Sequence, residues 1–218
     1  MSDSCLRVQL FAQVGYASFG PWADMERLKS LQVALGTHPP VLTNPHLVIP
    51  EVAELVNLSG ITDLVSECVG DAELWVENTF LITKPPGEMK VPPHQDGINS
   101  RLILDPQRSL TVWLAISPAT VETGCLHVSP GSHHGGYRPT VQADLPGRPL
   151  TIDGPLVDDW VAVPAEAGHG LVMDSRLIHY SPPNLSPRPR IGLNIRYVAP
   201  GGVTMRDGSE PTHLTRII

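Results

Sequence analysis

Residues 74–84 read LWVENTFLITK, and the reading of this stretch decides the fold. Alternation puts Leu74, Val76, Asn78, Phe80 and Ile82 on one face and Trp75, Glu77, Thr79 and Leu81 on the other. A period of two is that of a β-strand. Toward the carboxyl end, short runs of similar character recur at 110–117 (LTVWLAIS), 124–128 (GCLHV), 160–163 (WVAV), 169–173 (HGLVM) and 190–198 (RIGLNIRYV). Pro- and Gly-rich connectors separate them. Toward the amino end the pattern turns helical, at 21–35 (opened by Pro21, with Leu28, Leu31 and Leu35 on one face), at 50–58 (opened by Pro50) and at 62–69 (after Gly60). Helices followed by many short strands predict a mainly β fold, an antiparallel sandwich or barrel carrying N-terminal helices on one side.

Composition supports this class. The 218 residues fit a single domain, with a helical part over about 1–70 and a β core over about 71–200. With 23 prolines and 19 glycines the chain is too heavily punctuated for a helical bundle or a coiled coil. A net charge of −7 lacks the basic surface of a nucleic-acid binder, so no nucleic-acid partner is expected. Cys5, Cys68 and Cys125 form an odd set without C-x-x-C spacing, which argues against a disulfide framework and a zinc ribbon and for the reducing cytoplasm. The opening residues MSDSCLRVQL lack a basic start followed by an apolar stretch, and no run approaches a membrane span, so no membrane association is expected. A small-molecule substrate is the remaining partner class.

His94-Gln95-Asp96 and the distant His179 carry the chemistry. In extended chain His94 and Asp96 point to the same side, and His179 would add a second imidazole. Two neutral nitrogens and one hard oxygen form the facial triad of non-haem Fe(II) sites, although other divalent metals suit it too. Arg190 opens an alternating strand in which Arg190, Gly192, Asn194 and Arg196 share a face. Its guanidinium could grip the far carboxylate of a dicarboxylic co-substrate, with Ser181 donating a hydroxyl; a surface salt bridge is the competing reading. The Pro-rich stretches 85–93 (PPGEMKVPP) and 181–189 (SPPNLSPRP) read as stiff loops bracketing these residues. The segment 139–159 reads as a mobile loop or an ordinary surface connection.

Three runs, LITKPPGEMKVPPHQDG, LTVWLAISPATVETGCLHVSPGSH and HYSPPNLSPRPRIGLNIRY, together resemble the phytanoyl-CoA dioxygenase family of Fe(II)/2-oxoglutarate oxygenases over about residues 75–198. The resemblance implies a double-stranded β-helix (a jelly-roll, cupin-like core) and an enzyme using Fe(II), 2-oxoglutarate and O2. It implies that His94, Asp96 and His179 are the iron ligands, that Arg190 holds the C5 carboxylate of 2-oxoglutarate and that Ser181 assists. Trp113 matches a pocket-lining tryptophan and Phe80 another wall position; both also read as core aromatics. Asn78, on the face of Phe80, is a candidate for a further polar contact. Halogenating relatives replace the carboxylate ligand by a small residue, and Asp96 is retained here, so halogenation is disfavoured.

The remaining histidines carry no ligand signal: His133 and His134 are adjacent and diverge, His127 reads as satisfied or solvent-facing, and His38, His46, His169 and His213 have no partner signal in the sequence. Cys125 reads as a small buried residue. Within the family, the short amino-terminal part suggests an open substrate cavity. Tailoring of a natural product is the expected task, either hydroxylation or an oxidative cyclisation such as the orthoester closures of orthosomycin and aminoglycoside pathways. An amino-acid or small-acid hydroxylase, a cupin-like metalloenzyme that does without 2-oxoglutarate and a non-catalytic jelly-roll binding module are the alternatives.

Overall fold

A computed structural model describes residues 3–35, 38–145, 149–156 and 158–217. Helices α1 (Asp3–Val14), α2 (Met25–Leu35), α3 (Pro50–Val56) and α4 (Ser59–Val69) precede most of the strands. The strands are β1 (Tyr16–Phe19), β2 (Val41–Thr43), β3 (Trp75–Lys84), β4 (Val91–His94), β5 (Leu102–Leu104), β6 (Ser109–Ala115), β7 (Leu126–Val128) and β8 (Thr140–Gln142). They continue as β9 (Leu150–Ile152), β10 (Val161–Val163), β11 (Gly170–Asp174), β12 (His179–Ser181), β13 (Arg190–Val198), β14 (Val203–Met205) and β15 (Thr215–Arg216).

A seven-stranded sheet runs β1-β11-β6-β13-β3-β15 with β2 also on β3, and a four-stranded sheet runs β10-β7-β12-β4. All pairings are antiparallel. This is the mainly β, jelly-roll architecture that the sequence predicts. The helices lie on the outer face of the large sheet, where Leu31, Leu35, Val52, Leu55, Ile61 and Val65 pack against Val76, Leu81, Val112, Leu193 and Ile195. Each such fully buried aliphatic side chain contributes about 1.5–3 kcal/mol. The Tyr197 hydroxyl, reaching through from β13, donates to the Val56 carbonyl at 3.0 Å and satisfies a C-terminal carbonyl of α3.

Local signals explain the helix ends. Helix α2 starts after Asp24, whose carboxylate accepts the Arg27 N–H at 2.8 Å, so the helix opens there and not at Pro21. Gly70, at φ 74°, caps α4 in the left-handed region and returns its N–H to Ser66 O at 2.8 Å. Helix α1 is not anticipated by the sequence reading because it lacks an apolar stripe; Leu6 and Leu10 remain exposed.

The reading of β3 needs one correction. Arg196 pairs with Asn78 while Tyr197 pairs with Val76, so Glu77 is an extra residue in a β-bulge. The bulge reverses the alternation on its amino-terminal side. Val76 therefore joins Leu81 in the helix-facing core, whereas Asn78, Phe80, Ile82 and Lys84 lie opposite Arg196, Asn194, Gly192 and Arg190. The 85–93 stretch likewise ends in strand β4, not in a loop, and 139–159 contains the β8–β9 hairpin. Residues 146–148 and 157 of that segment lie outside the described residues.

Candidate active site

The small sheet brings His94 and His179 together as register partners on β4 and β12. Each ring is oriented by its own backbone: Nδ1 of His94 donates to Pro92 O at 2.8 Å, and Nδ1 of His179 donates to Leu177 O at 3.0 Å. Because a carbonyl only accepts, both rings keep their lone pair on Nε2. Those two Nε2 atoms lie 3.6 and 3.8 Å from Oδ1 and Oδ2 of Asp96, and the three side chains offer donor atoms all within 4.8 Å of one another. Two imidazole nitrogens with free lone pairs facing one carboxylate suit a divalent metal, and outward-facing protons on Nδ1 are the orientation that metal-ligating histidines adopt.

Asp96 is buried. Burial raises its pKa, but the Arg196 guanidinium, with His94 and His179, holds it well below the usual carboxylate range. Burial lowers His179 to about 4, with His94 acting in the same direction and Asp96 opposing. At neutral pH the site therefore presents an anionic carboxylate and a neutral imidazole, the forms that bind metal.

A second cluster lies where β3 and β13 end. Arg190 is 2% exposed; its Nη2 donates to Gly124 O at 3.1 Å and to Ser181 Oγ at 3.2 Å, while its Nε is buried without a hydrogen-bond partner. The Trp113 ring lies 5.6 Å from the guanidinium carbon. Opposite Arg190 in register is Lys84, fully buried, whose ammonium donates to Ser181 O at 3.1 Å and also to Ser181 Oγ and Pro182 O. Burial, reinforced by Arg190, lowers the Lys84 pKa to about 7, and burial lowers Arg190 to about 10. No carboxylate pairs with either cation among the described residues. A desolvated guanidinium with an orphaned N–H and a buried lysine poised near neutrality around one serine hydroxyl form a cradle for an anion, and a carboxylate fits it.

The sequence-predicted residues thus fall into two groups. His94, Asp96 and His179 meet at one end; Arg190, Ser181 and Trp113 meet at the other. Phe80 and Asn78 lie on the same β3 face, Phe80 beneath the Arg196 guanidinium at 5.3 Å and Asn78 opposite Arg196 with its Oδ1 buried and unpartnered. Among the other histidines, His133 and His134 bond to carbonyls of α1, His46 bonds to Thr79 and Thr215, and His127 stacks on Tyr180. His213, for which the sequence offers no partner signal, lies 3.4 Å from Glu77. The sequence reading gave no site role to Lys84, Asn194, Arg196 or Glu77. Alternation places the first three on the faces of Phe80 and Arg190, although it does not announce that Lys84 is buried.

Known proteins resemble this chain in sequence and in fold. A family model described as phytanoyl-CoA dioxygenase (PhyH) matches residues 26–192. The phytanoyl-CoA dioxygenase of Arabidopsis thaliana is 28% identical over 162 residues, covering 72% of this chain and 56% of that protein. The chain spans about half the length of the curated relatives it matches. Among solved structures, EvdO2 from Micromonospora carbonacea var. aurantiaca in complex with 2-oxoglutarate is 25% identical, covers 97% of this chain and 95% of its own, and superposes with a TM-score of 0.79. The non-heme alpha ketoglutarate dependent carbocyclase SnoK from nogalamycin biosynthesis shares the fold at 20% identity and a TM-score of 0.78, covering 100% of this chain and 97% of its own.

Proposed function

Because the chain belongs to the phytanoyl-CoA dioxygenase family, we propose that it is an Fe(II)- and 2-oxoglutarate-dependent oxygenase that oxidises a C–H bond of a small molecule and releases succinate and CO2. The observation that carries this reading is the pairing, inside one jelly-roll, of a His-Asp-His donor set with a buried basic cradle that has no carboxylate partner among the described residues. A cupin-like metalloenzyme without 2-oxoglutarate would need the first and have no use for the second. A plain binding module would need neither.

Bound iron supplies dioxygen activation coupled to oxidative decarboxylation of 2-oxoglutarate. The chain's own residues prepare that chemistry. His94, His179 and Asp96 present three donors already oriented by hydrogen bonds, so little reorganisation accompanies metal binding. Arg190, Lys84 and Ser181 hold the far carboxylate of the co-substrate and fix which end of it reaches the metal. Trp113 flanks the guanidinium and shields it from water.

The substrate belongs to natural-product tailoring, as a hydroxylation or an oxidative cyclisation such as orthoester closure on a sugar or aminoglycoside. The whole chain works as one catalytic domain. Supporting the tailoring assignment, the carbocyclase of nogalamycin biosynthesis builds the same fold at almost the same length. The test is anaerobic addition of Fe(II) and 2-oxoglutarate: a weak visible charge-transfer band should appear, followed in air by succinate release stimulated by sugar or aminoglycoside substrates. Absence of both band and succinate would overturn the reading.

A further inference from the structure

Asp96 lies two residues beyond His94, the last residue of β4, so the ladder does not fix its side chain. Two residues of β13 clamp it instead: Arg196 Nη2 donates to Oδ1 at 2.9 Å, and Asn194 Nδ2 donates to Oδ2 at 3.1 Å. Arg196 reaches a second carboxylate as well. Its Nη1 lies 3.6 Å from Oε2 of Glu77, which is 5% exposed and is the extra residue of the β3 bulge. Regular alternation would turn Glu77 to the helix side; the bulge re-aims it at Arg196. His213, from the segment before β15, lies 3.4 Å from the other Glu77 oxygen, and the Phe80 ring flanks the guanidinium.

We propose that Arg196 and Glu77 are positioning residues for the metal centre: Glu77, aimed by the bulge, holds Arg196, and Arg196 fixes the Asp96 carboxylate in the orientation that meets His94 and His179. The planar guanidinium is suited to this task because one nitrogen hydrogen-bonds Asp96 while another makes an ion pair with Glu77 at 3.6 Å, a two-sided geometry that an ammonium on a flexible stem does not reproduce. Outer partners of metal ligands that orient them in this way set metal affinity by about ten- to hundredfold. Neither residue touches the Arg190 cradle, so the role predicts a split: metal affinity depends on Arg196 and Glu77, while 2-oxoglutarate affinity at saturating metal does not.

This inference rests on the metal-centre reading, and one titration separates the two. Co(II) is added anaerobically to the full chain and its visible ligand-field absorption followed, for wild type, Arg196→Met, Arg196→Lys and Glu77→Gln, with thermal unfolding recorded for each. Arg196→Met should weaken Co(II) binding by about tenfold or more, Glu77→Gln by a smaller factor in the same direction, and Arg196→Lys should restore part of the loss. The KM for 2-oxoglutarate at saturating Fe(II) should change less than about twofold in Glu77→Gln. If Arg196→Met does not fold, Glu77→Gln carries the test, because it keeps the side-chain shape and removes only the charge. Folded variants that bind Co(II) as tightly as wild type, or more tightly, overturn the positioning role alone. A wild-type chain that binds no Co(II) overturns the metal centre and the positioning role together.

Discussion

His94 and His179 face each other across the β4–β12 pair as register partners, with ring centroids 4.2 Å apart. Neither strand would place a ligand alone, so the pairing itself assembles the site. Replacing His179 by Ala should remove one donor without opening the pair, because the Nδ1 bond to Leu177 O is local. Succinate formation should fall below detection while the thermal unfolding midpoint moves little. Wild-type-like turnover in this variant would refute the metal assignment.

Arg190→Lys should raise the KM for 2-oxoglutarate by about tenfold, with a smaller change in kcat. An ammonium keeps the charge but loses the two-pronged grip, and tenfold corresponds to about 1.4 kcal/mol. Steady-state succinate assays at varied 2-oxoglutarate check this.

Lys84 predicts a pH dependence of stability. Its pKa falls from 10.5 to about 7 through burial and the neighbouring Arg190, with Cys125 opposing. Between about pH 7 and pH 10.5 the unfolded chain binds a proton that the folded chain does not, so this group makes stability rise with pH across that window. In Lys84→Met the contribution vanishes. Urea unfolding of both proteins at pH 7 and pH 9.5 should show the wild type gaining on the variant at the higher pH, and a pH-independent difference would contradict the assignment.

Gly192→Ala should disturb the proposed co-substrate cradle from beneath. A methyl group there would come within 2.7 Å of the Trp113 ring, which flanks Arg190. Overpacking of this kind costs about 1–3 kcal/mol, and a displaced indole should also raise the KM for 2-oxoglutarate. Fluorescence of Trp113, isolated by replacing the other tryptophans, reports the displacement directly.

Legibility in the sequence followed physical regularity. Strands β3, β6, β11 and β13 were readable because apolar residues recur along them and buried side chains dominate their sequences. Strand β4, VPPH, was read as a loop because two prolines hide it; it survives with few ladder bonds because its pairing with β12 is short and irregular. The two halves of the site were traceable from spacing and family resemblance, since His94, Asp96, His179 and Arg190 each stand in an ordered motif. Glu77 was not traceable. A bulge inserts one residue without any mark in the local sequence, and only the cross-strand register between β3 and β13 exposes it. Lys84 was overlooked for a different reason: lysine is ordinarily a surface residue, and nothing local announces that this one is fully buried.

The buried pair of basic side chains, Lys84 and Arg190, has a thermodynamic consequence for the fold as a whole. Arg190 is desolvated, Lys84 is poised near neutrality, and no protein carboxylate pairs with either among the described residues, so the carboxylate proposed to bind there would act as a missing piece of the interior. Co-substrate binding and global stability are then a single linked equilibrium, in which each tenfold excess of 2-oxoglutarate over its dissociation constant deepens the native well by about 1.4 kcal/mol. The supply of 2-oxoglutarate would in this way set what fraction of the chain stays folded.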